Sequence, residues 1–153
     1  MTDQLGILQN NLHKNKAQIH SILNNPNVKR YAILMLQEQY WSTYTKSAPI
    51  HDKWTLIEPT VNDTQLRSAI YINNNLISPS QISPLSLPFT NITAAVITII
   101  NTKPMLIINI YNPCDQSIII ELHKQGWQSS VRNSTSAEQT TEIFRCRLVL
   151  SWP

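Results

Sequence analysis

Apolar residues recur along the chain in two rhythms, and each predicts a different kind of element. Residues 5–9 are a short apolar run that predicts a first strand. Leu12, Ile19, Ile22 and Leu23 then share one face at helical spacing, until Asn25-Pro26 ends the pattern. Residues 31–36 read Tyr-Ala-Ile-Leu-Met-Leu, apolar without alternation, which predicts a strand covered on both faces. A loop-rich stretch over 40–53 leads to a short strand at 54–57. Residues 67–73 alternate, with Ala69, Tyr71 and Asn73 on one side and Ser68, Ile70 and Ile72 on the other. Residues 77–90 carry Ser78-Pro79, Ser83-Pro84 and Leu87-Pro88 and are expected to be loop, because proline donates nothing to a ladder. Two β runs follow at 92–100 and 105–111, and Asn101-Thr102-Lys103 between them predicts a hairpin. Asp115 is placed to cap a last helix carrying Ile118, Ile119 and Leu122 and closed by Gly126. From Trp127 the pattern is lost: 129–141 is polar, and 144–152 is a lone apolar run. This order of elements predicts a layered α/β (α+β) domain, a mixed sheet with flanking helices, over residues 1–126, and an atypical tail over 127–153.

The length of 153 residues suits one domain with a real core. The charged fraction is only 14%, against a usual value of about 25%, with Asn, Ser and Thr taking the polar role. A net charge of +3 tolerates a polyanionic partner, but the twelve Lys and Arg are scattered and announce none. Cys114 and Cys146 have neither metal spacing nor a disulfide framework and read as reduced thiols. No signal-type segment and no apolar run of about 18 residues occurs, so no membrane partner and an intracellular setting are expected. In that setting the sequon Asn91-Ile92-Thr93 carries no meaning.

The chemistry lies where polar residues interrupt the apolar strands. Gln9-Asn10-Asn11 ends the first strand, Leu36-Gln37-Glu38 the second, and Asn109-Ile110-Tyr111-Asn112-Pro113 the last. Neighbouring strands would gather these clusters at one sheet rim, where open sheets bind ligands. A carboxylate beside a carboxamide offers hard oxygens suited to magnesium, which takes one or two carboxylates, waters and substrate phosphate. Each residue also has a structural reading: Glu38 as a solvated strand end, Asn11 as a helix cap, Tyr111 as a strand aromatic, Arg67 as a surface charge. His13, His20 and His51 have no paired spacing and are expected at the surface. Trp41 and Trp54 are expected to anchor loops to a core, with stacking on bases as the alternative.

Four segments, Ile7-Leu8-Gln9-Asn10-Asn11, Leu34-Met35-Leu36-Gln37-Glu38, Arg67-Ser68-Ala69-Ile70-Tyr71 and Asn109-Ile110-Tyr111-Asn112-Pro113, carry a resemblance to a known family. In this order they resemble the endonuclease/exonuclease/phosphatase superfamily, most like the N-terminal half of a LINE-type (non-LTR) retrotransposon endonuclease domain. Tyr40-Trp41 and Trp54 fit that subgroup. The resemblance spans roughly residues 5–125. It implies one half of a two-sheet sandwich, a Mg²⁺ (or Mn²⁺) cofactor, DNA as partner through its phosphate backbone, and no small-molecule cofactor. It also implies a nuclear setting if the chain is part of a retrotransposon protein. By position it implies that Glu38 and Asn11 serve the metal and that Tyr111 lies by the scissile phosphate, making Asn11, Glu38 and Tyr111 the catalytic set. Arg67 and Asn112 would contact substrate. The family's Gly-Asp-x-Asn and Ser-Asp-His-type segments do not occur here; after Tyr111 only Asp115 and His123 offer an aspartate and a histidine, and neither has the required context. The resulting expectation is a truncated, inactive copy of a Mg-dependent endonuclease domain. Its inner sheet face would be bare or covered by the tail, and its solubility poor. The alternative is a noncatalytic nucleic-acid-binding or interaction fragment. A third reading, an unrelated α+β domain with accidental motifs, would leave Asn11, Glu38 and Tyr111 on different surfaces.

Overall fold

The unbroken apolar run becomes β2 (Ile33–Gln37), buried along its whole length, as the continuous pattern predicts. In the computed structural model of the chain, residues 5–59 and 65–111 are described. β2 lies between β1 (Ile7–Asn11), which runs parallel to it, and β4 (Ser68–Asn73), which runs antiparallel. β3 (Trp54–Ile57) pairs antiparallel with the far side of β4, giving a mixed four-stranded sheet in the order β1-β2-β4-β3. The parallel pair requires a crossover, and α1 (Lys16–Asn24) supplies it. Asn15 caps α1, its side-chain oxygen accepting the Gln18 N–H at 3.1 Å.

The alternation in β4 sorts its side chains between two cores. Ala69 and Tyr71 face outward and pack with Leu12, Ile19, Leu23 and Trp54 beneath α1. Ile70 and Ile72 face inward and pack with Ile33, Met35, Ala95 and Ile107. The last two belong to a second, antiparallel sheet of β5 (Ile82–Leu85), β6 (Ile92–Ile97) and β7 (Met105–Ile110), in that order. The described residues are therefore an α/β sandwich of one mixed sheet and one antiparallel sheet, with α1 outside.

Several expectations change. The inner face of the first sheet is covered by β6 and β7 of the same chain, which removes the ground for expecting poor solubility. The first strand spans 7–11 rather than 5–9 because pairing with β2, from Ile7 opposite Ile33 to Asn11 opposite Gln37, decides its extent. The supposed loop at 77–90 contains β5. Pro84 stands in it opposite Ala95, on an edge strand, where a missing N–H costs no ladder bond. The hairpin forms, but β6 stops at Ile97 and the link turns at Asn101, whose φ is 63°. His13 and His20 are exposed, whereas the His51 side chain is only 15% exposed and lies against Asp52 and Asn24. Trp54 anchors β3 to α1, its indole N–H donating to the Leu23 carbonyl at 3.2 Å. Trp41 is half-buried. Among the described residues no helix is long and apolar enough to cross a membrane. Asn112, Cys114, the helix predicted from Asp115, His123, and the tail with Cys146 lie outside the described residues.

Glu58 directly follows β3 and accepts the Ala48 N–H at 3.1 Å, which ties the preceding loop to the sheet. Burial pushes its carboxyl above the usual range, against the pull of the Ala48 N–H and the Ser47 side chain. An acid whose folded-state pKa is raised stabilises the fold fully below its unfolded pKa, and that contribution is lost as pH rises through the folded value. Glu58→Gln keeps an acceptor and removes this loss. It is expected to raise the melting temperature more in neutral than in mildly acidic buffer; equal shifts in both would contradict the assignment.

Candidate functional site

Parallel pairing brings the ends of β1 and β2 to one rim, Asn11 opposite Gln37. Because β4 runs the other way, its first residue, Ser68, lies opposite Gln37 at the same rim. The end of β7 reaches it from the second sheet: the Gln37 amide donates to the Ile110 carbonyl at 2.6 Å. Glu38 is the first residue beyond β2 and has a φ of 44°, in the left-handed region that side chains such as glutamate rarely adopt. Such a conformation costs on the order of 1–3 kcal/mol and persists only where its surroundings over-determine it. Here they do. The Glu38 N–H donates to the Arg67 carbonyl at 2.8 Å, and the Glu38 carbonyl accepts the Lys14 N–H at 2.6 Å. The loop after β1, in which His13 and Lys14 are also left-handed, is thereby folded back onto the end of β2.

These constraints aim one carboxylate at a group of donors. The Tyr111 hydroxyl donates to Glu38 Oε1 at 2.7 Å, and His13 Nδ1 lies 3.3 Å from Oε2. The Tyr111 bond holds the carboxyl below its ordinary range; burial opposes it, while the Asn11 amide, His13 and Lys14 assist. Glu38 is thus ionised at neutral pH. The same bond raises the Tyr111 phenol, which keeps its proton, while Arg67 pulls the other way. The Arg67 guanidinium lies 5.6 Å from the centre of the Tyr111 ring. Asn11 does not cap α1; its side-chain oxygen accepts the His13 N–H at 3.0 Å, and its amide serves Glu38. The structure therefore brings Asn11, Glu38, Tyr111 and Arg67 to one rim; Asn112 lies outside the described residues.

Under the rim a buried polar layer joins the two sheets. The Asn109 amide donates to the carbonyls of Leu36 and Ala69, both at 2.9 Å. Ser68 Oγ donates to the Asn109 carbonyl, and Thr93 Oγ1 to the Ser68 carbonyl, each at 2.9 Å. Gln39, fully buried, donates to the Leu66 carbonyl at 3.1 Å.

No protein family matches the chain, and no curated protein is similar to it in sequence. Among solved structures it is similar to the endonuclease domain of TRAS1, a telomere-specific non-LTR retrotransposon, with a TM-score of 0.58 and 17% identity over 86% of this chain. That likeness is one of fold: the chain shares the architecture of that domain. The chain spans about half of that domain, 53% of its length.

Within this fold, the donor set can be tested against a divalent cation. Among the described residues no group of three or more His, Cys, Asp or Glu side chains forms a cage. Magnesium needs none, since one ionised carboxylate, waters and substrate phosphate suffice. Glu38 supplies that carboxylate, and the Asn11 carboxamide stands beside it. The residues fit a hydrated ion held at one side.

Sequence reasoning missed two residues here. His13 was expected at the surface, and its side chain is indeed 80% exposed, yet it leans on Glu38. Its place two residues after Asn11, past a strand end, was the available signal. Asn109 is the other: a carboxamide inside an otherwise apolar strand marks a buried polar joint.

Proposed function

We propose that the chain carries the metal- and phosphate-holding part of a Mg²⁺-dependent nucleic-acid phosphodiesterase of the endonuclease/exonuclease/phosphatase type, most like the non-LTR retrotransposon endonucleases. The observation that supports this reading is the meeting of Asn11, Glu38, Tyr111 and Arg67 at one sheet rim, on an endonuclease-type fold. Glu38 would hold the ion, with Asn11 fixing the loop around it. When bound, the ion would polarise the phosphodiester and stabilise charge on the leaving oxygen. The Tyr111 hydroxyl now donates to Glu38 and, once an ion takes that carboxylate, would turn its proton to a phosphate oxygen, while Arg67 adds positive charge on the same side.

The 153 residues contain neither a Gly-Asp-x-Asn nor a Ser-Asp-His-type segment to orient and activate a water. The chain by itself is therefore expected to bind DNA and Mg²⁺ but to nick supercoiled plasmid no faster than a Glu38→Ala control. Nicking that vanishes in Glu38→Ala would overturn the expected inactivity while supporting the site. The absence of both DNA binding and Glu38-dependent metal binding would sink the reading.

A further inference from the structure

Beyond Glu38 the chain forms an arm over residues 40–47. Ser42 and Ser47 pair as an isolated antiparallel bridge, with the Ser42 N–H donating to the Ser47 carbonyl at 3.0 Å. The tip is closed by the Lys46 N–H on the Ser42 carbonyl at 2.9 Å and the Thr45 N–H on Ser42 Oγ at 3.2 Å. Its base is tied down twice, by Ala48 on Glu58 and by the Tyr71 hydroxyl donating to the Pro49 carbonyl at 2.8 Å. On this fixed tip Tyr44 is 95% exposed, both ring faces open to solvent. A loop with this many internal bonds does not need an aromatic ring at its apex for stability.

The surroundings favour a polyanion with open bases. Of the four close cation–aromatic pairs among the described residues, two involve rings of this arm, Lys16 over Tyr40 and Lys46 over Trp41, and a third, Arg67 over Tyr111, stands at the Glu38 rim from which it springs. Tyr111 bonds Glu38, and Tyr40 and Trp41 follow it within three positions. No acidic residue in the first turn of α1 offsets Lys16. Cations held against rings beside a protruding aromatic are what a single nucleic-acid strand recognises, phosphates on the cations and a base on the ring.

We propose that residues 40–47 are a nucleic-acid arm, in which Tyr44 stacks on an unpaired base of the strand whose phosphate sits at Glu38 and Lys16 contacts its backbone. This rests on the phosphodiesterase reading. The test is fluorescence anisotropy with a short labelled single-stranded DNA in EDTA, so that the metal plays no part. Tyr44→Ala is expected to weaken binding roughly 5- to 100-fold, with Tyr44→Trp restoring it. Lys16→Gln is expected to lower the salt slope by about 0.7. A fully paired duplex, whose bases are stacked on one another, is expected to show little dependence on Tyr44. Binding by Tyr44→Ala within about twofold of the unsubstituted chain would overturn the arm and leave the phosphodiesterase reading standing. No binding by the unsubstituted chain in EDTA at low salt would likewise overturn the arm; if Mg²⁺ then restored binding, the phosphodiesterase reading would stand without it.

Discussion

Glu38→Gln is expected to weaken divalent-ion binding by about 100-fold or more while leaving the fold in place. The substitution keeps an oxygen to accept the Tyr111 hydroxyl and leaves the backbone bonds of residue 38 to Arg67 and Lys14 untouched. What it removes is the negative charge, and among the described residues no group of three or more His, Cys, Asp or Glu side chains stands by to replace it. A hydrated Mg²⁺ or Mn²⁺ held by one carboxylate loses its protein ligand outright. Mn²⁺ titration followed by electron paramagnetic resonance measures this directly, with thermal unfolding as the control. Unchanged Mn²⁺ affinity in a folded Glu38→Gln protein would show that any ion binds elsewhere.

Asn109→Leu is expected to produce the largest loss of stability. The side chain is fully buried, and its amide supplies hydrogen bonds to two carbonyls, Leu36 on β2 and Ala69 on β4, that lie opposite each other in the ladder. Leucine fills nearly the same volume but leaves both acceptors short of a donor. At about 1–3 kcal/mol for each buried group left unsatisfied, the loss is about 2–6 kcal/mol, less what is regained by removing Asn109 Oδ1, itself buried without a partner. In a chain of 153 residues this corresponds to a fall in melting temperature of roughly 5–20 °C. Circular dichroism of the two proteins checks it; a shift of only a degree or two would mean that the polar layer does not hold the sheets together. Because Glu38 follows β2 directly, the same substitution is also expected to loosen the ion site.

Much of the fold was legible because burial leaves a plain mark on sequence. The unbroken apolar run of β2 and the strict alternation of β4 indicated two covered faces and one strand with two sides, and both are found. What escaped depends on pairing rather than pattern. Asn10 and Asn11 are strand residues because β2 runs beside them, and Pro84 is tolerated in β5 because that strand is an edge. The covering of the inner face by β6 and β7 was equally invisible, since a hairpin does not state in sequence which sheet it joins. At the rim, the strand ends were readable as polar interruptions. The left-handed turn at Glu38 and the His13 contact were not, because both arise from the loop after β1 folding back onto β2.

The most direct test of the account is a crystal of the protein soaked in Mn²⁺ and examined for anomalous scattering. The account requires a peak within about 2.5 Å of the Glu38 carboxylate, beside Asn11 and within reach of the Tyr111 hydroxyl. A Mn²⁺ ion bound on another surface, with the Glu38 carboxylate still engaged only by Tyr111 and His13, would contradict it.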